Sequence, residues 1–198
     1  MIETLISWDK EAFLFLNGFH SVFWDVVMFY ISNKLTWIPL YILFLYWVVK
    51  FYRKDSIWII LALILLVAAS DQISVHAFKN VFIRLRPCHD PMLEGLVHTV
   101  NGKCGGQYGF YSSHATNHFA VAVFFSLLFR GRFRYFTALM LIWAAVISYS
   151  RIYLGVHFPL DVVAGAAAGS LLAYFAILGL RLFLPSLGRE IRARINDM

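Results

Sequence analysis

Arg151, His157 and Asp161 stand within one short stretch of a chain that is 61% apolar, in the run Ser150-Arg-Ile-Tyr-Leu-Gly-Val-His157-Phe-Pro-Leu-Asp161. Ionisable side chains are expensive in or near a bilayer, so their presence calls for a chemical reason. Pro159 suits the first turn of a helix, where the N–H it lacks has no partner anyway. An apolar run then continues to about Leu184. This places His157 at the start of a membrane helix, where the backbone dipole favours negative charge. Asp161 follows four positions later, on the same face if helical geometry already holds at His157. A carboxylate can hold one imidazole nitrogen protonated and leave the other free as nucleophile or base. Arg151 adds a fixed cationic fork that matches phosphate. A nucleophile, its orienter and an anion clamp together make a phosphoryl-transfer arrangement.

Two earlier groups have related chemistry. Lys79 and Arg86 lie in Lys79-Asn-Val-Phe-Ile-Arg-Leu-Arg86-Pro87. They are two helical turns apart and face one way if the helix continues, a spacing suited to holding phosphate oxygens. The competing reading is snorkelling toward the interface, the role assigned to Arg84. Ser112, Ser113 and His114 open another apolar run. Exposed N–H groups at a helix start attract an anion, and either serine can cap the helix. His114 can protonate a leaving oxygen, or serve only in packing. Asn117 and His118, one turn on, are expected in polar contacts behind the site. Asp71 is an intramembrane carboxylate and so a functional suspect by default, with bonding to Gln72, Ser74 or His76 within the bundle the favoured reading.

Cys88 and Cys104 are the only cysteines. In an oxidising compartment they can form a disulfide beside the site, the alternative being two free thiols. Neither a zinc-ligand spacing nor a nucleotide-binding glycine loop occurs.

The elements that must position these groups are membrane helices. The charged fraction is 14%, against about 25% in soluble domains, and mean hydropathy is +0.70. The expected fold class is all-α, a polytopic bundle of five to six spans forming one domain over 1–198. No cleavable signal peptide is read at the charged N-terminus. Residues 2–18 are expected to form an amphipathic helix on the membrane surface, and 19–31 a second, interfacial piece. The expected spans are Trp37–Phe51, Ile57–Ala69 continuing toward Phe78, Ser113–Phe129, Tyr135–Tyr149 and Phe158–Leu184. Residues 79–112 form a long loop rich in glycine.

Basic residues set the topology. The groups Lys50, Arg53, Lys54, then Arg130, Arg132, Arg134, then Arg181, Arg189, Arg192, Arg194 hold ten of the seventeen lysines and arginines. They alternate correctly to share one side, which the positive-inside rule makes cytoplasmic, including the tail at 185–198. His114, Arg151, His157 and the long loop then converge on the outer face. The net charge of +6 is accounted for by this distribution, and no nucleic-acid partner is expected.

Together the three segments resemble the type 2 phosphatidic acid phosphatase superfamily of membrane lipid phosphatases. Its first motif is Lys, six residues, Arg-Pro, matched by Lys79 to Arg86-Pro87. Its second, Pro-Ser-Gly-His, corresponds to Tyr111-Ser112-Ser113-His114, with tyrosine for proline and serine for glycine. Its third is matched in full by Ser150-Arg151, His157 and Asp161. The resemblance implies that His157 attacks phosphorus, Asp161 orients it and His114 protonates the leaving group. It further implies that Lys79, Arg86, Ser112, Ser113 and Arg151 cradle the phosphoryl oxygens, without metal or other cofactor. The expected substrate is an anionic lipid phosphate at the outer face of a bacterial inner membrane. Undecaprenyl diphosphate is the first choice, with lipid A (1- or 4′-phosphate) second. Phosphatidylglycerophosphate and phosphatidate follow. A lipid phosphotransferase and a non-catalytic lipid transporter are the other readings.

Overall fold

The computed structural model describes residues 2–196, without the side chains at 2, 77, 79, 80, 195 and 196. Among the described residues the regular structure is helical: α1 (Ile2–Asn17), α2 (Val22–Ser32), α3 (Ile38–Tyr52), α4 (Ser56–Gln72), α5 (Asn80–Phe82), α6 (Ser113–Leu128), α7 (Phe136–Tyr153), α8 (Pro159–Phe183) and α9 (Pro185–Asn196). A π-helical stretch, Ile73–Lys79, carries α4 on into α5. The expected second span therefore runs on without interruption.

Five helices form the bundle, with α6 at its centre. Side-chain contacts fix their directions. Tyr41 of α3 reaches His118 near the start of α6, and Tyr52 donates to the Leu128 carbonyl at its end (2.6 Å), so these two run parallel. Ser70 near the end of α4 bonds Asn117, and Ser74 just beyond it meets Ser113 at 2.6 Å, so α4 runs the opposite way. Phe136 at the start of α7 packs on Phe129 at the end of α6. The starts of α3, α6 and α8 and the ends of α4 and α7 thus share one face of the molecule.

Helices α6 and α8 approach backbone to backbone. A Cβ on Gly169 would lie 2.1 Å from the Thr116 carbonyl oxygen, and one on Gly165 would lie 2.6 Å from that of Ser112. Small residues four apart let membrane helices touch backbone to backbone, where dispersion and polar contacts replace the hydrophobic effect. Large apolar side chains point outward instead, such as Leu65, Leu139, Phe175 and Leu182, each more than half exposed. Lipid is the solvent these faces fit.

The opposite face is basic. There α9 returns under the bundle, burying Leu187 and Ile191, with Arg132 paired to Glu190 (3.0 Å) and Arg194 donating to Tyr52 (3.0 Å). The tail expected at 185–198 is thus a docked amphipathic helix through Asn196. At the other face, α1 and α2 meet at an angle of 115°. Asn17 ends α1 by donating to the carbonyls of Ile152 and Tyr153 (3.2 and 2.8 Å) and accepting from the His98 N–H (2.8 Å). One buried amide thereby ties the N-terminal helix to α7 and to the long loop.

Candidate active site

Helix α8 begins at Pro159, with Phe158 in extended conformation before it. His157 therefore stands just outside the helix, one residue before its cap, rather than in its first turn. The geometry needed with Asp161 still forms. The Asp161 carboxylate folds back to accept from the Phe158 N–H (3.0 Å, to Oδ2), and the same oxygen lies 3.5 Å from His157 Nδ1. Both side chains are buried, Asp161 fully. The Asp161 carbonyl accepts from the Ser112 N–H (3.0 Å), joining the start of α8 to that of α6. Ser112 caps α6 through Oγ, which accepts from the Ala115 N–H (3.4 Å). Its hydroxyl is buried in that role, away from the cavity described below.

Helix α7 extends to Tyr153, four residues beyond the expected end, because Ser150 and Arg151 continue its last turn. Arg151 donates to the Ser32 hydroxyl of α2 and points into a cavity of about 290 Å³. Arg86, Ser113, His114 and His157 line the same cavity. Of the eight residues expected at the site, these five meet at one void. Asp161 stands behind His157, Ser112 caps, and the side chain of Lys79 lies outside the described residues.

The loop holds Arg86 by short-range pairing. Leu85 and Tyr108 form an isolated antiparallel bridge, with Arg86 N–H donating to Gln107 O (3.1 Å) and Gly109 N–H to Arg84 O (2.8 Å). The Arg86 side chain donates to the carbonyls of Tyr108 and Cys104 (3.3 Å each). Burial pushes its guanidinium below the ordinary value, while the Asp161 charge works the other way. Cys104 is joined to Cys88, with Cα atoms 6.0 Å apart, so the disulfide braces the backbone that holds Arg86. A Cβ at Gly109 would stand 3.2 Å from both Arg86 Cγ and Asp161 Oδ2, so this glycine lets the loop close over the acid.

Two sequence expectations need correction. The helix carrying Lys79 does not continue to Arg86; it stops at Phe82, and the chain is paired in extended form by Leu85. Residues two apart share a face of an extended segment. Arg84 therefore turns inward with Arg86 and does not snorkel: it pairs with Asp161 (2.7 Å) and Asp9 (2.5 Å). Asp71 lines the cavity beside His114, and Ser74 donates to its backbone carbonyl (2.9 Å). Asn117 and His118 also border the cavity, with His118 bonded to the His114 carbonyl (2.7 Å). Sequence reasoning missed Lys34, another cavity cation, and Ser32; they lie just after and at the end of α2, in a region without a motif. A second cavity of about 350 Å³, bordered by Ser32, Asn33 and Lys103, shares Arg86 and Arg151 with the first.

The arrangement is a cationic void with an imidazole at its wall, backed by a carboxylate. Phosphoryl transfer asks a protein chiefly for such positioning and charge stabilisation. Comparison with known proteins agrees. A lipid A 4′-phosphatase of Bacteroides thetaiotaomicron is 40% identical over 171 residues, 85% of this chain and 75% of its own. One of Porphyromonas gingivalis is 39% identical over 179 residues, 88% of this chain and 73% of its own. An undecaprenyl-diphosphatase of Sulfolobus acidocaldarius is 28% identical, covering 88% of this chain and 80% of its own. The fold matches the crystal structure of a transmembrane PAP2-type phosphatidylglycerolphosphate phosphatase from Bacillus subtilis, with TM-score 0.67 at 22% identity, over 91% of this chain and 88% of that one. The PAP2 superfamily model matches residues 57–183, and the chain belongs to that superfamily as a bacterial membrane lipid phosphatase.

Proposed function

We propose that the protein removes the 4′-phosphate of lipid A at the outer face of the inner membrane, through a phosphohistidine on His157. The observation that carries the chemistry is the pairing of His157 Nδ1 with buried Asp161 (3.5 Å) at the wall of a cavity that Arg86 and Arg151 also line. With Nδ1 turned to the carboxylate, Nε2 is the nitrogen that meets phosphorus. It attacks, the P–O bond to the sugar breaks, and His114 gives its proton to the departing oxygen. Water then attacks the phosphohistidine, with His114 taking the proton back, and inorganic phosphate leaves.

The substrate assignment moves from undecaprenyl diphosphate to lipid A. Relatives near 40% identity are lipid A 4′-phosphatases, whereas the undecaprenyl-diphosphatase stands at 28%. The adjoining cavity supports this choice, because Ser32, Asn33 and Lys103 offer polar partners for a sugar next to the phosphate. The segregation of basic residues to the face opposite the site supports an outward orientation. Disulfide formation by Cys88 and Cys104 fits the same side.

The test is phosphate release by the purified protein in detergent, with EDTA present, from lipid A and from undecaprenyl diphosphate. Mass spectrometry of the lipid product locates the lost phosphate. Loss of the 4′-phosphate alone, abolished by His157→Ala, is the expected result. Turnover of undecaprenyl diphosphate without lipid A would return the assignment to the isoprenoid carrier.

A further inference from the structure

We infer that Arg84, clamped by Asp9 of the N-terminal helix, is a positioning residue that fixes the Asp161 carboxylate behind His157. The inference rests on the reading of His157 as the nucleophile.

Arg84 spans two buried carboxylates with its two terminal nitrogens. One donates to Asp161 Oδ1 at 2.7 Å and the other to Asp9 Oδ2 at 2.5 Å. The second oxygen of Asp9 accepts from the Leu160 N–H at 2.9 Å. Asp9 thus holds both Arg84 and the first turn of α8. The guanidinium also lies over the Phe158 ring, 4.4 Å from its centroid, and that ring packs on Phe13 of α1 at 5.3 Å. Asp9 and Phe13 are four apart and share one face of α1. That face closes on the turn carrying His157, while Trp8 and Phe15 on other faces of α1 stay exposed.

The consequence for Asp161 is an assignment of its two oxygens. Oδ1 is taken by Arg84, which leaves Oδ2 for the Phe158 N–H and for His157. A carboxylate free to rotate would hold the imidazole less firmly in one orientation. Arg84 adds charge as well as direction. The ionisable groups around Asp161 are Arg84 and Arg86 from the loop, His157 from the turn before α8, and Asp9 from α1 across Arg84. Arg84 balances the negative charge of Asp161 and so weakens the hold of the Asp161–His157 pair on a second proton.

The experiment compares Arg84→Gln, Arg84→Lys, Asp9→Asn and the Asp9→Asn/Arg84→Gln double variant with wild type. The substrate is whichever of lipid A and undecaprenyl diphosphate the wild type hydrolyses, in detergent micelles. Readouts are kcat, KM, the pH dependence of kcat/KM and thermal unfolding. Arg84→Gln is expected to lower kcat roughly 10- to 100-fold, the range for groups that orient a functional imidazole, with KM within about threefold of wild type. Its acid limb should move to higher pH, because the neutral imidazole then forms only at higher pH. Arg84→Lys keeps the charge but not the fork, so its acid limb should stay near wild type while kcat falls less. The double variant should be no slower than Arg84→Gln, since both act through one clamp.

Wild-type kcat in Arg84→Gln would overturn the inference. So would a loss that appears only in KM, or one that Arg84→Lys fails to relieve and that tracks the unfolding temperature with no movement of the acid limb. Should Arg84→Gln fail to fold, Arg84→Lys decides alone: full kcat overturns the clamp. His157→Ala separates this result from the underlying reading. An active His157→Ala sinks the nucleophile assignment and the inference with it. An inactive one, beside an unaffected Arg84→Gln, sinks the inference alone.

Discussion

Gly169→Ala adds a single methyl group far from any phosphate, yet it is expected to disable the enzyme. Its Cβ would stand 2.1 Å from the Thr116 carbonyl oxygen, 2.9 Å from that carbonyl carbon and 3.0 Å from the Ala120 nitrogen. All three atoms belong to the α6 backbone, so no rotamer change can relieve the clash. Cβ atoms essentially never stand closer than 3.0 Å to a neighbour, so α8 must withdraw from α6 by at least about 1 Å. The start of α6 carries His114 and the start of α8 carries Asp161, bridged by the Ser112 to Asp161 backbone bond of 3.0 Å. A displacement of that size between reacting groups costs about 10²-fold in rate. Overpacking of a tight contact also lowers stability by roughly 1–3 kcal/mol. Gly179, on the same helix, has no atom within 4 Å of a built Cβ and supplies the control. The assay is phosphate release together with thermal unfolding in one detergent. Gly169→Ala should lose about two orders of magnitude in kcat and unfold earlier, while Gly179→Ala matches wild type. If both alanine variants behave alike, the close α6–α8 contact is not what sets the distance between the two halves of the site.

Other outcomes follow from single contacts. His114→Ala should lower kcat on the natural lipid by about 10²–10⁴-fold. The loss should be much smaller on a nitrophenyl ester, whose leaving group needs no proton; equal losses would remove the general-acid role. Reducing the Cys88–Cys104 bridge, or replacing both cysteines with serine, should lower stability by up to about 3 kcal/mol for a loop of this length. It should also raise KM, because the Cys104 carbonyl is one of the Arg86 anchors; an unchanged KM would show that Arg86 stands without the bridge. Arg151→Lys keeps a charge in the cavity but removes the second arm of the fork, so kcat/KM should fall about tenfold. Wild-type turnover would mean that Arg151 contributes charge alone.

How far the sequence could be read depended on the scale of the interaction. The pairing of His157 with Asp161 was legible because both lie around one helix start, marked by Pro159. The segregation of basic residues was legible because it reflects topology and needs no side-chain geometry. Arg84 was misread for a definite reason. Its neighbour Arg86 was placed by helical spacing from Lys79, and under that period Arg84 points elsewhere. The helix ends at Phe82 and an antiparallel bridge at Leu85 changes the period to two, which brings both arginines to one side. That bridge needs Tyr108 from the far end of the loop, and no local pattern announces it.

The N-terminal helix shows the same limit more sharply. Read alone, α1 is an amphipathic surface helix, and its exposed Leu5, Trp8 and Phe15 fit that role. On such a helix a lone Asp9 belongs to the polar face. In the fold it is only 4% exposed, and it holds Arg84 and the Leu160 amide together. A buried carboxylate persists where donors repay its desolvation, and here all of them come from residues more than seventy positions away. Helix α1 and the turn carrying His157 are therefore one mechanical unit. The clamp gives α1 a part in setting the Asp161 carboxylate beyond that of a surface helix.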